Sequence, residues 1–320
     1  MDAFGGLLEG PRARGAFALR SIMDPPWSVR VEDQAPLSLV ALVRGRAWVV
    51  PDDGEPAALG PGDIAVMRGP DPYVFADDPA TPPDVVIHPG QRCTTPEGQD
   101  LAQAMELGVR TWGNDPNGST TMLIGTYETP TEVSRRVLAA LPPVAIVEHD
   151  TWDSPIVSLL ADEIVKDDPG QEVVLDRLLD LLVVGALREW FSRPTAESPA
   201  WYRAHSDPVV GRAVALMHHN PAHPWTVKSL AAEIGVSRAA LARRFTELVG
   251  EPPMTFLTGW RLALAADLLR EHDTTIDAVA RRVGYGSAFA LSSAFKRVYG
   301  VSPKQHRAGA STGSPAAALR

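Results

Sequence analysis

The sequence predicts an α+β multidomain chain. It comprises an N-terminal β-barrel, a helical hairpin and a C-terminal all-α domain with two helix-turn-helix units. Three observations carry this. Of 29 prolines, 18 lie in residues 1–150, where they punctuate short apolar stretches. The formal charge of −9 is unevenly spread: residues 1–199 hold 15 Lys+Arg against 31 Asp+Glu, and residues 200–320 hold 15 against 8. A segment near residue 227 also recurs about fifty residues later. The expected boundaries are 1–150 for the barrel, 151–198 for the hairpin and linker, 199–308 for the helical domain and 309–320 for a disordered Gly/Ser/Ala-rich tail.

The barrel rests on strand-like stretches at 15–22, 27–32, 37–43, 46–50, 63–67, 73–76, 84–88 and 121–128. Several end in turn formers such as Pro51-Asp52-Asp53-Gly54 and Gly60-Pro61-Gly62-Asp63. Helical spacing follows. A helix over 131–141 is stopped by Pro142-Pro143. A second over 155–166 carries Ile156, Leu159, Leu160 and Ile164. A third over 171–191 carries Leu175, Leu178, Leu179, Leu182, Leu187 and Trp190 in a wide apolar stripe. The last two expose more apolar surface than they can bury on each other, so they either pack on the barrel or form the seam of a homodimer.

In the repeat, Val227, Leu230, Ala231, Ile234, Gly235 and Val236 return as Ile276, Val279, Ala280, Val283, Gly284 and Tyr285. After one extra residue in the turn, Ser237, Leu241, Phe245, Leu248, Gly250 and Pro253 return as Ser287, Leu291, Phe295, Val298, Gly300 and Pro303. Each copy reads as helix, glycine turn, serine-capped helix. The second helix buries Leu241, Phe245 and Leu248 in one copy, and Leu291, Phe295 and Val298 in the other. A long helix over 254–271 ties the copies together through Phe256, Leu257, Trp260, Leu264, Leu268 and Leu269. That tie would hold two recognition helices about 34 Å apart on one duplex face.

Other bounds are simpler. Cys93 is the sole cysteine, which excludes an internal disulfide and fits a reducing compartment. No cationic start followed by an apolar run opens the chain, and the apolar stretch 173–191 is broken by Asp176, Arg177, Asp180, Arg188 and Glu189. The expectation is a cytoplasmic, nucleoid-associated protein with no membrane partner.

Residues 208–307 resemble the DNA-binding domain of the AraC/XylS family of bacterial transcription regulators. The residues that carry this are Leu230-Ala231, Gly235-Val236-Ser237, Arg243, Trp260-Arg261-Leu262, Ile276, Val279-Ala280, Gly284-Tyr285, Phe295-Lys296, Tyr299-Gly300-Val301-Ser302-Pro303 and His306-Arg307. The N-terminal two-thirds resembles the cupin-type sensor domain often joined to it, through Gly62-Asp63 within the strand-and-turn pattern and the Leu-rich helices.

The resemblance implies a one-component regulator that binds an operator in double-stranded DNA. It implies a homodimer through 155–191, a small-molecule effector and contact with RNA polymerase. In the first recognition helix, Ala239, Ala242, Arg243 and Thr246 would face the bases, with Arg243 pairing with guanine. Arg238, Lys228 and Arg244 would meet phosphates. In the second, Phe289, Ser292 and Ser293 correspond, and Ser287 and Lys296 would anchor phosphates. Serine at 293 departs from the strong polar reader common there, which leaves phosphate contacts, a thymine-methyl contact by Phe289 or weak readout. An effector pocket would use Trp27, Trp48, Tyr73 and Phe75.

No cofactor, metal site or catalytic residue is expected. Tyr73 stands where a metal-binding cupin places histidine, the strand pair 37–50 has no His-x-His, and no nucleophile motif occurs. Two alternatives remain: a metal-dependent cupin enzyme with a targeting DNA-binding domain, and a redox sensor in which His88, five residues before Cys93, lowers the thiol pKa.

Overall fold

The computed structural model describes residues 16–127, 137–193, 198–270 and 274–311. The chain divides into two compact units. In the first, two sheets share one core. One sheet has the order β10-β11-β1-β12-β3-β6-β13, built from β1 (Ala16–Met23), β3 (Leu37–Arg44), β6 (Ile64–Arg68), β10 (Glu106–Gly108), β11 (Thr111–Gly113), β12 (Thr120–Tyr127) and β13 (Val144–Val147). The other runs β5-β4-β7-β2-β8-β9, from β2 (Ser28–Val31), β4 (Ala47–Pro51), β5 (Ala57–Leu59), β7 (Tyr73–Ala76), β8 (Val85–His88) and β9 (Arg92–Thr94).

Strand alternation builds the core. Val40 and Leu42 of β3, Ala65 and Met67 of β6, Ala47 and Val49 of β4, and Tyr73 and Phe75 of β7 face one cluster, joined by Met23, Trp27 and Met122. The eight expected strands all form, within one or two residues at their ends. β5, β9, β10, β11 and β13 were not expected; all but β13 have only three residues, too few to show alternation. The glycine-aspartate turn is structural: the Asp63 carboxylate accepts the Gly60 N–H at 2.7 Å and the His149 N–H at 2.8 Å.

Helices α1 (Pro155–Glu163) and α2 (Gln171–Ser192) belong to this unit rather than forming a body of their own. Leu175, Leu179, Leu182, Val183, Ala186 and Leu187 are buried. The close fit is set by small residues. A Cβ on Gly125 of β12 would lie 2.7 Å from the Leu179 side chain, and one on Gly185 would lie 2.4 Å from Trp152. Arg110 donates to Gln171 at 2.7 Å, and Arg193 to the Ile146 carbonyl at 2.8 Å. Leu159, Val174 and Leu181 remain exposed, so packing on the sheet does not use up the apolar stripe. Most of the helix expected over 131–141, the prolines' linker around residue 194 and the tail beyond 311 lie outside the described residues.

The second unit is all helix: α3 (Ala200–Arg203), α4 (Val210–His219), α5 (Val227–Ile234), α6 (Arg238–Val249), α7 (Pro253–Leu268), α8 (Ile276–Arg282), α9 (Ala288–Tyr299) and α10 (Pro303–Ser311). The repeat appears as two cores. Leu230, Ala231, Leu241 and Phe245 form one, with Phe256 and Leu257 from α7. Val279, Ala280, Leu291 and Phe295 form the other, with Leu262, Ala265 and Ala266 from the same helix. Trp260, fully buried, lies between them on α7.

One expectation is corrected in both copies. Leu248 and Val298 are exposed, and the neighbouring Val249 and Tyr299 pack on the cores instead. The buried face shifts by one residue in the last turn of each helix.

Candidate nucleic-acid interface

Each helix-turn-helix is fixed locally by caps. Thr226 and Ser229 exchange bonds at the start of α5, each side chain accepting the other's backbone N–H. The Ser237 hydroxyl accepts the Ala240 N–H at 3.1 Å, and the Ser287 hydroxyl accepts that of Ala290 at 3.2 Å. Ser287 is therefore engaged as an acceptor, and only its O–H proton is free to donate to a phosphate.

With Leu241 and Phe245 buried, α6 presents Arg238, Ala239, Arg243 and Thr246 to solvent, and Ala242 is half-buried. The Arg243 side chain is 75% exposed and, among the described residues, pairs only with Glu247 at 3.6 Å, one turn on, so it is free to leave for a base edge. Thr246 donates its hydroxyl proton to the Ala242 carbonyl at 2.9 Å, which leaves its oxygen as an acceptor. Lys228 of α5 is exposed. Of the residues expected to meet DNA on α9, Phe289, Ser293 and Lys296 are exposed and Ser292 is half-buried.

Arg244 does not join this surface. Its Nε donates to both carboxylate oxygens of Asp207, at 3.1 and 2.9 Å, and Asp207 also accepts the Val209 and Val210 N–H groups at the start of α4. The guanidinium holds the Asp207 carboxyl below its ordinary range. Arg244 is thus a brace between α6 and α4 rather than a phosphate contact, a role sequence reading missed because its partner lies 37 residues away.

A second brace is Arg261 of α7. It donates to the carbonyls of Pro221 and His223, both at 2.7 Å, and burial pulls its pKa down. The turn of the second unit closes on the same loop. Gly284 has φ +84°, and a Cβ there would lie 2.8 Å from the Ala222 backbone and 2.9 Å from Arg261. Only glycine satisfies both the backbone and the space. The loop ahead of α5, helix α7 and the turn after α8 are therefore one packed joint.

In the β unit, Trp27 is fully buried and Phe75 and Tyr73 nearly so, with the two rings edge-on at 5.8 Å. Trp48 is corrected. Its strand neighbours Ala47 and Val49 face the core, so the pleat turns Trp48 outward. Tyr73 lines a cavity of about 130 Å³ with Asp52, Arg68 and Asp71. A second cavity, about 400 Å³, opens elsewhere, between the Pro61-Gly62 turn and α1. The indole N–H of Trp27 meets no acceptor among the described residues. No group of three His, Cys, Asp or Glu side chains suited to a metal comes together among the described residues.

The activation of Cys93 by His88 finds no support. β8 and β9 pair Ile87 with Cys93 and His88 with Arg92, so His88 and Cys93 point to opposite faces. His88 instead bonds Thr94 at 2.9 Å, and burial together with Asp100 pushes the thiol up to about 11.

Known proteins match this arrangement. The cupin family matches residues 2–192, and the helix-turn-helix domain family residues 230–309. An AraC-like transcription regulator of Streptomyces lividans is 31% identical over 96% of this chain and 98% of its own length. The HTH-type transcriptional regulator MtrA of Neisseria gonorrhoeae is 27% identical over the same shares. Among solved structures, the DNA-binding domain of AdpA in complex with a target DNA aligns over 35% of this chain and 100% of its own. That alignment has 35% identity and a TM-score of 0.33. No helix among the described residues is long and apolar enough to cross a membrane. With a relative aligned almost end to end and the cupin family spanning more than half of its residues, the chain belongs to the AraC-like transcription regulators, carrying a cupin domain ahead of a helix-turn-helix DNA-binding domain.

Proposed function

We propose that this regulator is a cytoplasmic one-component sensor that recognises a bipartite operator through α6 and α9. An unidentified small effector bound by the cupin unit would shift the population competent to bind DNA or to engage RNA polymerase. The observation that carries the DNA reading is the pair of capped helices whose outward faces hold Arg238 and Arg243 in one copy and Phe289, Ser293 and Lys296 in the other. Arg243 reads guanine bidentately, while Arg238, Lys228 and Lys296 take phosphates.

The exposed Leu159, Val174 and Leu181 support a homodimer through α1 and α2. For the effector, Tyr73 is the favoured contact because it alone of the four expected residues lines a described cavity. Phe75 packs edge-on against it, and Trp27 lies in the same core.

The test is selection of duplexes from a random pool by the full-length chain. The expected result is an enriched sequence in two blocks about one helical turn apart, bound at least ~10³-fold tighter than random duplex. Enrichment of no sequence would overturn the reading. The effector is then sought as the metabolite that changes affinity for the selected duplex.

A further inference from the structure

Phe289 is 83% exposed, the most exposed large apolar side chain among the described residues. It sits in the first turn of α9, two residues past the Ser287 cap. Residues 289, 292, 293 and 296 share one helix face at i, i+3, i+4 and i+7, opposite the buried Leu291, Ala294 and Phe295. The ring therefore stands at the leading end of that face, and Lys296 closes it two turns on. Fifty residues earlier the same places on α6 hold Ala239, Ala242, Arg243 and Thr246.

The chemistry of the two faces is exchanged. On α6 the first position is small, so the guanidinium of the second turn reaches past it. On α9 the second-turn residue, Ser293, is short, and the bulk lies in the first turn. In the major groove the apolar group on offer is the 5-methyl of thymine, while every other edge feature is a hydrogen-bond donor or acceptor.

Resting on the DNA reading above, we propose that the two units read different chemistry. α6 reads hydrogen-bonding edges through Arg243, and α9 reads thymine methyl groups through Phe289, with Lys296 and the Ser287 O–H holding the flanking phosphates. Phe289 is a specificity-determining residue for the second block. An exposed phenyl ring on this face gains its apolar contact only when DNA is bound, so it contributes to recognition and not to folding.

The experiment uses a duplex selected by the full-length wild-type chain, with its thymines replaced one at a time by deoxyuridine. The block whose base preference survives Arg243→Ala is the one assigned to α9. In that block, loss of one methyl at one or two positions weakens wild-type binding about fourfold. Phe289→Ala binds thymine and deoxyuridine duplexes alike, and Phe289→Leu retains part of the difference. Unchanged circular dichroism and thermal midpoint establish that both variants fold.

Equal wild-type binding to every deoxyuridine duplex overturns the proposal, as does undiminished thymine preference in Phe289→Ala. In either case Arg243-dependent selection would persist and the DNA reading would stand. If the wild type selects no sequence, both readings fall.

Discussion

Replacing Arg243 separates base reading from general attraction to DNA. The side chain is 75% exposed, and among the described residues its one ion pair is with Glu247, at 3.6 Å on the same helix. An exposed i,i+4 pair contributes about 0.5 kcal/mol at most, so Arg243→Ala should leave the thermal midpoint almost unchanged. A lost bidentate contact to guanine removes about 1–3 kcal/mol of discrimination, or roughly 5- to 150-fold in affinity for the selected duplex. Affinity for a scrambled duplex of the same length should fall far less.

Arg238→Ala is the matched control. As a phosphate contact it should weaken both duplexes together and flatten the salt dependence by about one unit of slope. Fluorescence anisotropy titrations at four or five salt concentrations measure all of these quantities. If Arg243→Ala weakens selected and scrambled duplexes equally, with a shallower salt slope, then Arg243 is a phosphate contact and the assignment of α6 is wrong.

Three further outcomes follow from the β unit. The double change Leu159→Asp with Leu181→Asp places two charges on the exposed α1–α2 face, where each leucine buried across a dimer would contribute about 1.5–3 kcal/mol. Sedimentation should then report a monomer where the wild type is a dimer, and a dimer that survives both changes would refute the seam.

Asp180 of α2 is buried, and desolvation, only partly offset by Arg177 at 3.4 Å, pushes its carboxyl up to about 6. The folded pKa thus lies above the unfolded value near ~3.9. The native state binds more protons between about pH 4 and pH 6, and stability falls as pH rises through that window. Asp180→Asn should gain on the wild type by about 2 kcal/mol between pH 4 and pH 7.5; a stability difference that stays constant with pH counts against the argument. Finally, Cys93, with its thiol raised to about 11, should be alkylated by iodoacetamide at pH 7.5 about tenfold or more slowly than a free thiol, and a rate near that of free cysteine would revive its redox role.

The helical third was legible because its determinants are local. Ser237 and Ser287 cap their own helices, and Leu241 and Phe245, or Leu291 and Phe295, recur within two turns. The barrel was legible in its longer strands and not in β10 or β11, whose short runs become strands only by pairing, as when Thr111 aligns with Arg20 from ninety residues away.

The site residues divide in the same way. The outward placement of Arg243 and Phe289 follows from helical periodicity. The commitment of Arg244 to Asp207 depends on a contact made only after folding. Trp48 and Cys93 were misread through pleat parity: in a strand, one residue's shift moves a side chain to the opposite face, and proximity in sequence to His88 carried no information about contact.

On the bipartite reading proposed above, the joint made by Arg261, the Pro221 and His223 carbonyls and Gly284 would act on the DNA as much as on the protein. One base pair added between the two blocks displaces the second by about 3.4 Å and turns it roughly 34° around the duplex axis. A joint packed backbone against backbone absorbs little of that, so the duplex must bend or change its twist to bring both blocks into reach. The stiffness of the untouched base steps between the blocks then becomes part of the operator. Flexible pyrimidine–purine steps there would then favour binding and rigid A-tracts oppose it, so that the regulator would discriminate among sequences that no side chain contacts.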